Sequence, residues 1–242
     1  MKLFSLFFFV SGKFFQVYLF FQLRMDKLII FDLDGTLLDT ITDLAYSVNV
    51  ALKKKGYPVH EKHEYKNLVG KGITNLLTVA LPPGCSDKET VNEIRSIFIP
   101  CYNENCTKRT IPYSGVTELL DSIIKKKWKI AVASNKYQKA TEKIVSHYFP
   151  DISFSAILGQ REGIPVKPDP TIVKELLELT GSKRENTIFI GDSEIDIITA
   201  RNAAVTSIAV TWGFRSRKLL ASFKPDFLSD TTHDLLTILD NI

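Results

Sequence analysis

The chain has 242 residues, 45% of them hydrophobic and 24% charged; a chain of this make-up can bury a sizeable core, which excludes an intrinsically disordered protein. Its formal charge of +4 comes from scattered lysines, the densest run being Lys125-Lys126-Lys127, a solvated helix end; a nucleic-acid partner would need a broader basic stripe with aromatic residues. Three cysteines (Cys85, Cys101 and Cys106) without a CxxC pair argue against a zinc site or a disulfide framework and fit a reducing cytoplasm.

Residues 1–24 stand apart. They are rich in Phe and Leu, but Lys13 and Gln16 interrupt the apolar run, which is too short to cross a bilayer. Lys2 and the apolar stretch suit a signal peptide, yet no A-x-A-like cleavage site follows. Met25 directly precedes a sequence that begins like a complete domain. The adopted reading is that Met25 is the true start. A membrane anchor and an extra ordered strand or helix are the alternatives, and a membrane partner is expected only if residues 1–24 belong to the protein.

From Lys27 onward, short apolar runs alternate with helical periods. Leu28-Ile29-Ile30-Phe31 is continuously apolar, the pattern of a strand buried on both faces. Between about Thr42 and Thr110 only helical patterns follow, at Leu44 to Lys54, Glu64 to Leu68, Ile73 to Ala80 and Glu89 to Tyr102. Gly56-Tyr57-Pro58 and Leu81-Pro82-Pro83-Gly84 punctuate them as turns. The stretch reads as an all-helical insert after the first strand, returning at Ile111-Pro112-Tyr113. Val116 to Lys127 carries Val116, Leu119, Leu120, Ile123 and Ile124 at helical spacing. Further strand-like runs are 129–133, a weaker 154–158, 187–190 and 207–210. Helices are expected from Pro170 to Leu179, ending before Gly181, from Ile195 to Ala204 and from His233 to Ile242. This alternation predicts an α/β fold, with a mostly parallel sheet flanked by helices over 25–40 and 112–242 and a helical unit over 41–111.

Four strings carry chemistry, and each falls where a strand ends or a helix begins, which is where open parallel sheets bind ligands. In Phe31-Asp32-Leu33-Asp34-Gly35-Thr36-Leu37, two carboxylates at spacing two can point the same way. They need a cation or a shared proton between them, and a carboxylate can also attack phosphorus. A lone D-x-D reads as well as a helix cap or acidic turn. Ser134-Asn135 follows a strand and suits a phosphate oxygen, although Ser-Asn is also a common helix cap. Lys167 lies between rigid residues in Val166-Lys167-Pro168-Asp169-Pro170 and can set a point charge against phosphate; a lysine before a helix is otherwise simply solvated. In Gly191-Asp192-Ser193-Glu194-Ile195-Asp196, Asp192 and Asp196 share a face one helical turn apart. They are a second acidic set for the same ion or a pair of helix caps, while Glu194 points elsewhere and is expected in solvent.

Together these strings resemble the haloacid dehalogenase superfamily over about Lys27 to Leu239. The order is D-x-D-G-T-L, a Ser/Thr, a Lys, then G-D-x-x-x-D. Within it, Phe31 to Thr40, Leu68-Val69-Gly70-Lys71-Gly72 and Lys167-Pro168-Asp169-Pro170 look most like the phosphoglycolate phosphatase group. The resemblance implies a Rossmann-like core with a helical cap inserted after the first string.

The resemblance also implies a magnesium-dependent phosphatase acting on a small phosphorylated metabolite, as a monomer or homodimer. Asp32 would be the nucleophile that forms an aspartyl-phosphate, and Asp34 the general acid and then base. Asp32, the main chain of Asp34, Asp192 and Asp196 would serve the metal, Asp196 through water or by orienting Lys167. Ser134 and Asn135 would bind phosphoryl oxygens, Lys167 would neutralise charge, and Thr36 would support the first loop at the substrate. Lys71 in the cap is expected to meet a substrate carboxylate or to lie in solvent. A phosphomutase or pyrophosphatase would use the same nucleophile. A 2-haloacid dehalogenase would need neither Asp34 nor the metal acids. A non-catalytic binding protein would be expected to have lost one of the acids, and all are present.

Overall fold

The computed structural model describes residues 27–242, and the readings made for residues 1–24 and for Met25 lie outside the described residues. Six strands form one parallel sheet: β1 (Leu28–Phe31), β4 (Lys129–Tyr137), β5 (Ala156–Gln160), β6 (Thr187–Gly191), β7 (Thr206–Val210) and β8 (Phe227–Ser229). Their spatial order is β5-β4-β1-β6-β7-β8. β1 therefore sits in the centre, pairing β4 on one side and β6 on the other. All four of its residues are buried, as its unbroken apolar run requires in a sheet covered on both faces. Each such side chain contributes about 1.5–3 kcal/mol of transfer free energy.

The helical insert lies between two short strands, β2 (Leu38–Asp39) and β3 (Ile111–Pro112). It comprises α1 (Ile41–Lys54), α2 (Tyr65–Leu68), α3 (Gly72–Ala80) and α4 (Lys88–Asn105). Helices α5 (Val116–Lys125), α6 (Gln138–Tyr148), α7 (Thr171–Thr180), α8 (Glu194–Ala203), α9 (Arg217–Ser222) and α10 (Thr232–Asn241) belong to the sheet layers. This is the Rossmann-like core with a helical cap that the motif order implies. Among the described residues no helix is long and apolar enough to cross a membrane.

Several elements extend what the apolar pattern indicates. The strand expected at 129–133 runs on to Tyr137, with a register irregularity before Tyr137 pairs Gln160. The weak run at 154–158 is ordered two residues later, as Ala156–Gln160. α6, α9 and β8 have no clear counterpart in the sequence reading. β2 and β3 are too short to show a period, yet they pair antiparallel, Leu38 with Pro112 and Asp39 with Ile111.

That ribbon joins the entry and exit of the cap, and Asp43 reinforces it. Asp43 is fully buried on α1. Its Oδ2 accepts the Arg109 and Thr110 N–H groups at 2.9 and 2.8 Å and the Thr110 hydroxyl at 2.9 Å. Tyr148 of α6 adds a hydroxyl bond to the Thr110 carbonyl at 2.6 Å. Asp43→Ala would strand the two buried donors of Thr110 and the part-buried N–H of Arg109, so a loss of about 3 kcal/mol is expected in urea unfolding. A loss under about 1 kcal/mol would show that the cap's two ends hold together without this carboxylate.

Candidate active site

At the carboxyl end of β1 the chain leaves the sheet through Asp32, whose N–H still bonds the Ile190 carbonyl of β6 at 2.9 Å. The neighbouring strands deliver the rest: β4 carries Ser134, Asn135 and Lys136, and the turn after β6 carries Asp192 and Ser193. The site thus lies where the order of the sheet reverses around β1, the expected ligand position in such folds. Two glycines make the approach possible. Gly35 has φ +94°, and a Cβ there would collide with the Asp192 carboxylate; a Cβ on Gly191 would collide with that of Asp196.

Lys167 is the hub. Its ammonium is 2.8 Å from Asp32 Oδ1, 2.7 Å from Asp196 Oδ1 and 2.9 Å from the Ala133 carbonyl. All three of its donors are therefore taken. Asn135 fixes the main chain of Lys167 from both sides, accepting its N–H at 2.8 Å and donating to its carbonyl at 3.0 Å. Asp196 gives its other oxygen to the Ser193 N–H and hydroxyl, at 3.1 and 2.6 Å. It both caps α8 and orients Lys167. Asp192 accepts from the Thr36 hydroxyl at 3.2 Å and from the Phe214 N–H at 2.7 Å. Asp34 is held by the Thr40 hydroxyl at 2.6 Å and by Lys136 Nζ at 3.0 Å.

Burial and mutual repulsion dominate the electrostatics. Burial pushes the Asp32 carboxyl up to about 7, against the pull of Lys167 and with the added push of Asp196 and Asp34. Asp192 is raised well above the usual carboxylate range by burial and by the charges of Asp32 and Asp196. Burial opposes the charge on Lys167, yet Asp196 and Asp32 outweigh it and hold its pKa above the usual value. The two partners move differently for a simple reason: Lys167 has two anions to itself, whereas Asp32 shares one cation and faces further anions.

One oxygen each of Asp32, Asp192 and Asp196 lie within 4.8 Å of one another. Four carboxylates (Asp32, Asp34, Asp192, Asp196) and two ammonium groups (Lys136, Lys167) line one cavity, 2 − 4 = −2 in formal charge, while Arg215 there is paired with Glu194. Hard oxygen donors with two negative charges to spare fit a divalent cation such as magnesium.

The cavity, about 60 Å³ in volume, is roofed by Leu44, Val69, Ile73, Leu76, Phe98 and Tyr102 of the cap. It collects Asp32, Asp34, Ser134, Asn135, Lys167, Asp192 and Asp196. Thr36 does not line it; it is buried beneath, bonded to Asp192. Lys71 does not line it either and is exposed. Gly70 and Gly72 on either side have positive φ, and Gly72 rather than Lys71 packs close to the core, against Asn135 and Gln160. Glu194 is not in solvent as helical spacing suggests, because Arg215 from the loop after β7 pairs with it at 3.0 Å.

Lys136 and Arg215 escape sequence reasoning. Lys136 is buried, 2.7 Å from the Tyr102 hydroxyl and 4.6 Å above that ring. The signal was a lysine two residues beyond Ser134, at the end of an extended run.

A six-stranded parallel sheet with a helical cap over an Asp-x-Asp, Lys and Gly-Asp cluster defines a capped α/β hydrolase of the haloacid dehalogenase type. Residues 29–210 match the family model described as haloacid dehalogenase-like hydrolase, and the chain belongs to that family. Among curated relatives, phosphoglycolate phosphatases of Vibrio cholerae serotype O1 and Aquifex aeolicus are each 31% identical to it. The alignments cover 88% of this chain and 96% of the first, and 89% and 97% for the second. A crystal structure of a predicted phosphoglycolate phosphatase from Haemophilus somnus superposes with a TM-score of 0.82 at 30% identity, over 88% of this chain and 98% of that one.

The raised carboxylates give a pH test with a definite sign. Without a cation, the stability contributed by the protonated Asp32 is present at low pH and lost as pH rises from its unfolded value near 3.8 to about 7. A divalent cation favours the ionised form and must displace that proton. Magnesium should therefore raise the thermal midpoint more at about pH 8 than at about pH 5. Equal shifts at both would mean that the ion binds away from these acids.

Proposed function

We propose that this protein is a magnesium-dependent phosphatase that hydrolyses a small phosphate monoester, phosphoglycolate first among the candidates, through a phosphorylated Asp32. The observation that carries the reading is the geometry of Asp32. One of its oxygens is held by Lys167 while the other accepts no hydrogen bond among the described residues, at the mouth of the strand and facing the cavity. An oriented carboxylate of this kind is a nucleophile aimed at phosphorus.

In the first half-reaction, Asp32 bonds to phosphorus as the ester P–O bond breaks. Asp34 gives its proton to the departing alkoxide, so an alcohol leaves. In the second, Asp34 takes a proton from water, whose oxygen attacks phosphorus and releases Asp32 and inorganic phosphate. Ser134 and the main chain at Asn135 bind phosphoryl oxygens. Lys167, with its three donors taken, acts by holding Asp32 and Asp196 in register. Asp32, the main chain of Asp34 and Asp192 would hold magnesium, which neutralises charge on the phosphoryl group when bound. Asp196 completes this set through Lys167.

The cap side chains that line the cavity are apolar except for Tyr102, and Lys136 of the core stands beside that ring, so the cavity suits a short substrate with one polar end. In this reading a substrate carboxylate meets Lys136 rather than the exposed Lys71. The relatives named phosphoglycolate phosphatase support the same choice. The three free cysteines fit a cytoplasmic enzyme.

Asp32→Asn keeps the shape of the side chain and removes the nucleophile. Phosphate release from phosphoglycolate with magnesium should fall roughly a thousandfold or more, with the circular dichroism spectrum unchanged. Wild-type turnover by that variant would discard the proposed nucleophile. Incubation with a hexose phosphate separates the mutase alternative, which would form an isomer in place of free phosphate.

A further inference from the structure

Arg215 stands on the loop between β7 and α9 and is 8% exposed. Its Nε donates to Glu194 Oε2 at 3.0 Å, its Nη2 donates to the Val69 carbonyl at 3.0 Å, and its Nη1 donates to the Lys66 carbonyl. Val69 is the C-cap of α2, and carbonyls at a helix end have no partner within the helix. One core side chain thus grips two backbone groups of the cap. The same cap segment is held a residue further on by Asn135, whose Nδ2 donates to the Gly70 carbonyl at 2.9 Å.

Each anchor is rooted in the cluster. Asn135 brackets Lys167. The residue before Arg215, Phe214, donates its N–H to Asp192, and Glu194 opens α8 two residues after Asp192. Only a planar fork of five donors can serve a carboxylate and two carbonyls in different directions, and a lysine ammonium at that position cannot span them. Glu194 also cancels the charge of the guanidinium, leaving little net attraction for a substrate anion.

We propose that Arg215 is a positioning residue that fastens the cap shut, locking residues 66–70 over the acidic cluster with Glu194 as its fixed post. The clasp acts on closure and not on the reacting atoms. A closed roof excludes bulk water and strengthens the electrostatics beneath it. The kinetic part of this inference rests on the phosphatase reading; the structural part does not.

Two measurements on the full chain separate them. Arg215→Ala leaves Glu194 without its cation and can unfold the loop, so Arg215→Lys, which keeps that pair, is the deciding variant. Hydrogen exchange by mass spectrometry should rise about tenfold in peptides spanning 65–76. Peptides covering β1 and β6 should stay as protected as in the wild type. In steady-state assays with magnesium and phosphoglycolate, KM should rise about tenfold while kcat changes by less than about threefold, because saturating substrate closes the cap again. Unchanged exchange at 65–76, or a uniform rise that includes the sheet, overturns the clasp and leaves Arg215 a brace of the fold. Local exchange without a change in KM overturns its positioning role. A wild-type protein with no phosphatase activity refutes the phosphatase reading, and the exchange result then decides the clasp alone.

Discussion

Four carboxylates gathered at the buried end of a parallel sheet is an unfavourable arrangement, and the architecture around them follows from the need to tolerate it. Taking ionised groups out of water costs several kcal/mol each unless they are paired. Lys167 meets part of that cost by serving Asp32 and Asp196 at once. The remaining tension is visible in the raised pKa values of Asp32 and Asp192. Evolved sites keep such tension where chemistry uses it. Here it leaves buried acids whose repulsion a divalent cation would relieve, and one Asp32 oxygen that accepts no hydrogen bond among the described residues.

The cap shares in this electrostatic design as well as roofing it. Lys136 joins Asp34 of the core to Tyr102 of α4, so a cap side chain lies one contact from the proposed acid. Asn135 touches Lys167 and Gly70 together. Core and cap therefore meet through the same residues that arrange the site, by short polar contacts as well as by apolar packing.

Much of this was legible in the order of residues. β1, β6 and β7 announce themselves because strands buried on both faces need unbroken apolar runs, and acids follow directly at the ends of β1 and β6. The helical insert was legible from its 3.6-residue period. What stayed hidden depends on partners distant in the chain. The Arg215 contacts to Lys66 and Val69 span about 150 residues, and no local period encodes them. Glu194 was assigned to solvent because helical spacing describes its own helix and is silent about the loop that returns over it. Lys71 drew attention by lying between two glycines, but it is the backbone of Gly70 and Gly72 that approaches the core, while Lys71 is exposed. β8 and the β2–β3 ribbon, of three and two residues, are too short to carry a pattern.

The ribbon has a wider implication. Because Leu38 pairs with Pro112 and Asp39 with Ile111, the chain enters and leaves the insert at neighbouring points about 5 Å apart, the spacing of adjacent strands. From the standpoint of the sheet, more than seventy residues therefore amount to one tight hairpin. The register of β1 is therefore set without the insert, and what ties the insert to the acids is the small set of polar contacts from Lys136, Asn135 and Arg215.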